Sequence, residues 1–180
     1  MRASSPAAPT ATAYSPTNFR SENLPTSRSS IMSPSSEAPS TATTLAEDNK
    51  AADRRFINQI INGQDLESIG DIVADDFSEQ NPPPGQGPGR DGLRDFLAQM
   101  FRAFPDLTWT VHEMVAEGDR VAAWSTWTGT HREDFLGIGA TGRSVTVEAW
   151  TFDRFHDGKM CESRIIMDVM GMVQQLQGDA

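Results

Sequence analysis

Apolar residues recur at helical spacing in the first part of the chain beyond residue 45, and alternate with polar ones in the second. From Ala46 to Asn62, Phe56, Ile57, Ile60 and Ile61 share one helical face, and Asn62-Gly63 supplies the stop. Asp65 then predicts the cap of a short second helix carrying Leu66, Ile69, Ile72 and Val73. Residues 76–81 read as a short strand or extended entry, and Pro82 to Gly89 is a loop because of its prolines and glycines. A third helix is predicted from about Asp91 to Phe104, with Leu93, Phe96, Leu97, Met100, Phe101 and Phe104 at core spacing. Pro105-Asp106 ends it.

Four strands follow. Leu107 to Glu117 alternates Leu107, Trp109, Val111, Glu113 and Val115 against Thr108, Thr110, His112 and Met114. Gly118-Asp119-Arg120 turns the chain into Val121 to His131. Ser144 to His156 is long and rich in β-branched and aromatic residues, and His156-Asp157-Gly158 is a hairpin turn into Lys159 to Met167. Asp168 then opens a short apolar terminal helix. Helices ahead of hairpin-connected strands predict an α+β domain. Its antiparallel sheet is expected to curve over the N-terminal helices as a cone.

Composition separates a tail from this domain. Residues 1–44 contain 31 Ser, Thr, Pro or Ala, so they cannot bury enough surface to offset their ordering entropy and are expected to be disordered. No apolar core of a secretory signal follows Arg2; organellar import is the alternative role for a Ser-rich, acid-poor segment, and Glu22 and Glu37 argue against it. With three Arg and two Glu in the tail, residues 45–180 carry a net charge of −11 against −10 for the whole chain. That acidity argues against nucleic-acid and anionic-membrane partners. No apolar run approaches a membrane span, and the expected compartment is the cytoplasm. Cys161 is the only cysteine, so no internal disulfide forms, and its patterned strand position suits a small core residue.

Several motifs carry or fail to carry chemistry. Gly137-Ile138-Gly139-Ala140-Thr141-Gly142 matches a dinucleotide fingerprint literally, but a strand follows it where a helix is required. His112, His131 and His156 lack the spacing of a metal site. Neither a metal nor a cofactor is expected. Asp168 admits two roles: a helix N-cap, or a proton-transfer group at the rim of a curved-sheet pocket. Trp127 shares a face with Val121, Ala123 and His131, which suits either a pocket lining or core packing.

A longer constellation is specific in its order. It runs from Pro82-Pro83-Pro84-Gly85 and Gly89-Arg90-Asp91-Gly92 into Phe104-Pro105-Asp106-Leu107. It continues through Glu117-Gly118-Asp119-Arg120-Val121, Gly129-Thr130-His131, Phe135-Leu136-Gly137-Ile138, Thr141-Gly142-Arg143 and Asp157-Gly158-Lys159, and ends at Gly171-Met172-Val173-Gln174-Gln175-Leu176. Over residues 46–178 this resembles the SnoaL-like polyketide cyclases of the nuclear transport factor 2-like superfamily. The resemblance implies ring closure by intramolecular aldol chemistry without metal or cofactor, using a pocket aspartate as acid and base. It also implies a homodimer and a small hydrophobic ligand.

On that resemblance Asp168 and His131 are the catalytic candidates, with Gln80, Trp127 and Arg164 as substrate-binding groups. Gln80 stands where many members have histidine, and Ser163-Arg164 where many have His-Trp. Neither Gln nor Arg exchanges a proton near pH 7. The domain has no tyrosine, which excludes the tyrosine-plus-acid arrangement of ketosteroid isomerases. The expectation is therefore a cofactor-independent cyclase or isomerase acting on a small hydrophobic carbonyl compound. The alternative is a non-catalytic domain of the same fold that binds a hydrophobic ligand or dimerises.

Overall fold

The computed structural model describes residues 41–178, so the expected disordered tail lies outside the described residues up to position 40. Helix α1 (Thr41–Arg55) begins ahead of the expected Ala46, taking in residues that composition alone assigns to the tail. Extending a formed helix costs little per residue, and Thr41–Thr44 contains no proline to stop it. The helix then widens into a π-helical turn, Phe56–Asn62, which buries the predicted Ile57, Ile60 and Ile61. Its stripe continues upstream through buried Ala52, Asp53 and Asn49. Asn49 is satisfied by donating to the Gly118 carbonyl at 3.0 Å.

Asp65 caps the next turn as expected, accepting from the Ser68 amide at 3.3 Å and its hydroxyl at 2.6 Å. Helix α2 is one turn, Ile69–Ile72. Strand β1 (Val73–Glu79) starts at Val73, a residue the periodicity placed on the helix, because Val73 pairs with Met160. Helix α3 (Gly89–Ala103) buries Leu93, Phe96, Leu97, Met100 and Phe101 as predicted. Gly92 in its first turn lies against the Gly87 backbone so closely that a Cβ there has no room. This seats the proline-rich loop of residues 82–88 on α3.

The sheet comprises β1, β2 (Thr108–Glu117), β3 (Arg120–Thr130), β4 (Ser144–His156), β5 (Lys159–Ser163) and β6 (Ile165–Met167). Its order is β1-β5-β4-β3-β2, with β6 also on β4. The hairpin pairs run antiparallel, whereas β1 runs parallel to β5, so the curved α+β sheet is mixed. The predicted last strand breaks at Arg164, whose backbone exchanges hydrogen bonds of 2.9 and 3.1 Å with Phe152. A second irregularity falls where Arg154 opposes Glu162 but Phe155 opposes Met160, leaving Cys161 as the extra residue. Helix α4 (Val169–Gln177) closes the described chain and buries Met172 and Leu176. The glycine-rich segment at residues 137–142 leads into β4. Among the described residues no helix is long and apolar enough to cross a membrane.

Candidate active site

Side-chain parity on the last strands decides which polar groups meet the interior. Ser163, Ile165 and Met167 line a cavity between the helices and the inner sheet face. Successive strand residues point to opposite faces, and Arg164, Ile166 and Asp168 are accordingly exposed. Asp168 is the N-cap of α4, its Oδ1 accepting from the Gly171 amide at 2.8 Å. The same parity acts on β1: Glu79 lines the cavity, while Gln80 is exposed and donates to the Ser78 hydroxyl at 2.9 Å. The structure therefore does not bring Asp168, Gln80 and Arg164 together in the cavity.

Loss of the cap alone has a defined cost. Asp168→Ala is expected to lower stability by about 1 kcal/mol in denaturant unfolding, the usual worth of an N-cap. Turnover should be unchanged. A hundredfold loss of turnover in a folded Asp168→Ala protein would assign this residue to the chemistry.

The two remaining expected residues, Trp127 and His131, are buried in the core. Trp127 packs edge-on against Phe104 at 5.2 Å between ring centroids. It borders a small second cavity of about 10 Å³ with Phe135, Val147 and Met172. His131 is fully buried and stacks on Phe104 at 5.2 Å. Its Nδ1 accepts from the Thr141 amide at 3.3 Å, which places the proton on Nε2, an atom without a partner among the described residues. Burial holds the His131 pKa below its ordinary value, with Asp134 acting weakly the other way. His131 does not line the main cavity. His112 and His156 are exposed, with His112 bonded to the Thr126 hydroxyl at 2.7 Å.

The main cavity measures about 70 Å³ and is walled mostly by apolar side chains, among them Phe56, Phe77, Phe96 and Met100. One water needs only about 10–15 Å³ in this measure, so the space admits a compact organic molecule. Two carboxyls that sequence reasoning missed face it. Asp53 comes from α1 and Asp153 from β4, each only 2 % exposed. Asp53 Oδ2 and Asp153 Oδ1 have no hydrogen-bond partner among the described residues.

Their electrostatics follow from that placement. Burial pushes the Asp53 pKa up to about 7, slightly opposed by Arg54. Burial also holds Asp153 well above the usual carboxylate range, and the nearby charges of Asp53 and Glu79 add to this. The hydroxyls of Ser163 and Thr151 pull it partly back. Two neighbouring buried acids cannot both ionise cheaply, so an ionised Asp53 holds Asp153 in its protonated form more firmly. Among the described residues no cluster of His, Cys, Asp and Glu has metal-binding geometry.

A signal for both acids is present in the sequence. Asp53 lies three and four residues before Phe56 and Ile57 on the predicted helical face. Asp153 continues the inward series Val145, Val147, Ala149 and Thr151. Each is a charge standing at a core position of an otherwise apolar period.

A curved sheet closed by helices over an apolar cavity with a buried acid pair defines a class of small α+β pocket proteins. The model of the SnoaL-like polyketide cyclase family matches residues 51–176, and the chain belongs to that family. Among solved structures, TsrD from Streptomyces laurentii is 25% identical with a TM-score of 0.66, covering 72% of this chain and 95% of its own. IdmH from Streptomyces antibioticus is 29% identical with a TM-score of 0.64, covering 72% of this chain and 99% of its own. A SnoaL-like polyketide cyclase from Agrobacterium tumefaciens is similar in fold, with a TM-score of 0.60 at 24% identity over 71% of this chain and 97% of its own. No curated protein matches this chain.

Proposed function

We propose that this protein is a cofactor-independent cyclase that closes a small hydrophobic carbonyl compound by intramolecular aldol chemistry, with Asp53 and Asp153 as its proton carriers. The observation that carries this reading is the pair of buried carboxyls in an apolar cavity, each with one unpartnered oxygen, one with its pKa pushed up to about 7. A general base works best with a pKa near the operating pH. Ionised Asp53 takes a proton from the carbon beside one carbonyl. The resulting enolate carbon attacks the second carbonyl, and neutral Asp153 gives its proton to the new alkoxide. Asp53 leaves the cycle protonated and Asp153 ionised, and one proton passed between the neighbours restores the start. No external oxidant, reductant or metal enters this balance.

The test is turnover of an acyclic diketone that closes to a cyclic β-hydroxyketone, followed by chromatographic appearance of that aldol adduct. Activity above the uncatalysed rate in the wild type, removed in Asp153→Asn, supports the assignment. Equal rates with and without protein across a series of such diketones would sink it.

The second partner we propose is another copy of the chain. The outer sheet face exposes Trp150 by 52 % and Ile166 by 62 %, opposite each other in register. Trp124 stacks on Trp150 at 5.8 Å, extending an apolar surface larger than scattered single residues. Sedimentation at micromolar concentration should show a dimer that Trp150→Glu converts to monomer. A wild-type monomer under those conditions refutes it.

A further inference from the structure

The cavity holds unpartnered donors as well as unpartnered acceptors. Gln86, from the loop seated on α3, and Trp109, from β2, both line it. Gln86 Nε2 and Trp109 Nε1 are buried without a hydrogen-bond partner among the described residues, as are Asp53 Oδ2 and Asp153 Oδ1. Leaving a buried donor unsatisfied costs about 1–3 kcal/mol. Four of the eight such atoms among the described residues belong to side chains lining this one cavity. Trp109 is otherwise well placed as a core residue, 7 % exposed, with its backbone amide held by Asn62 Oδ1 at 2.7 Å. Its ring is thus fixed by its strand, and only the N–H is left open.

We infer that Gln86 and Trp109 form a donor pair for a carbonyl oxygen, so the cavity selects an apolar ligand carrying that acceptor. The inference rests on the cyclase reading and deepens it. A donor N–H can hold a carbonyl oxygen in the ground state and hold it more strongly as negative charge develops there. The acids supply the complementary function, taking a proton from the carbon beside that carbonyl. Because Gln86 belongs to the proline-rich loop, the loop contributes a group to the site and does more than cover it. A ligand of the same shape without the oxygen leaves both donors unpaired, and sites of this kind discriminate strongly against such analogues.

Acetophenone and α-methylstyrene are a matched pair of probes, differing by a carbonyl oxygen against a methylene. Calorimetric titration of the full-length wild type should show acetophenone binding at least about tenfold tighter, as two modest hydrogen bonds require. That ratio should fall several-fold in Gln86→Leu or Trp109→Phe and approach one in the double variant. In nitrogen-proton correlation spectra, the indole signal that Trp109→Phe removes should move downfield with acetophenone and not with α-methylstyrene. Equal affinity of the two probes for the wild type, absence of binding by either, or a ratio unchanged in the folded double variant would each overturn the donor pair. Failure of the cyclase reading looks different: diketones would close no faster with the protein than without it while the probe ratio persists.

Discussion

Asp153→Asn is expected to reduce turnover by about 10²–10⁴-fold, the usual contribution of a positioned general acid or base. The substitution keeps the shape of the side chain and removes its exchangeable acid proton. Asp153 is buried with an unpartnered oxygen at the cavity, where a substrate's oxygen can meet it. Asp53→Asn should have a comparable effect by a different route, because it removes the base. In the wild type the rate should climb as Asp53 ionises near its pKa of about 7. That limb should vanish from whatever residual activity Asp53→Asn retains. Activity of folded Asp153→Asn within about threefold of the wild type would contradict a general-acid role for this carboxyl.

Stability should fall as pH rises from about 4 to 7. The direction follows from linkage. Asp53 has its folded pKa raised from 3.8 to about 7, so in that window the folded state binds more protons than the unfolded one. The stabilisation is complete below the unfolded pKa and is lost as pH passes through the folded value. Its magnitude is on the order of 4 kcal/mol for Asp53. Asp153, raised in the same direction by burial, extends the loss to higher pH. His131 acts in the opposite sense, since its depressed pKa removes stability as pH falls below its ordinary 6.5. Urea midpoints across this range should therefore fall in the wild type. In Asp53→Asn/Asp153→Asn they should be higher at pH 8 and rise gently with pH, leaving the His131 contribution. A wild-type midpoint that is flat or rises from pH 4 to 7 would mean that the two acids are not buried as charges without partners.

Both acids escape a reading of hydrophobic pattern, for a physical reason. Periodicity weighs apolar positions, so it finds Phe56, Ile57, Ile60 and Ile61 and stops where the stripe turns polar. The stripe does not stop: Asp53 and Asn49 continue it and are buried. Asp153 is likewise hidden inside a strand whose predicted outline is correct. A polar residue in a core register is the sharper signal, because burying a charge without a partner is costly and must be offset elsewhere. Asp168 attracts notice for a local reason, an acid where a strand meets a helix. Its cap geometry satisfies that local signal completely.

What the sequence determined by itself was the set of elements and their class. Local rules suffice for these: the helical stripes, the Asp65 cap, the hairpin turns and the order of helices before strands. Family membership was also legible, because motif order along the chain survives without coordinates. Only the tertiary structure decided which acids meet. Asp53 and Asp153 are a hundred residues apart in sequence, and no local spacing relates a helix position to a strand position across a sheet. Parity settled the rest. The break at Arg164 and the extra residue at Cys161 set the register that turns Ser163, Ile165 and Met167 inward. A shift of one residue would have exchanged the two faces and put Arg164 and Asp168 in the cavity instead.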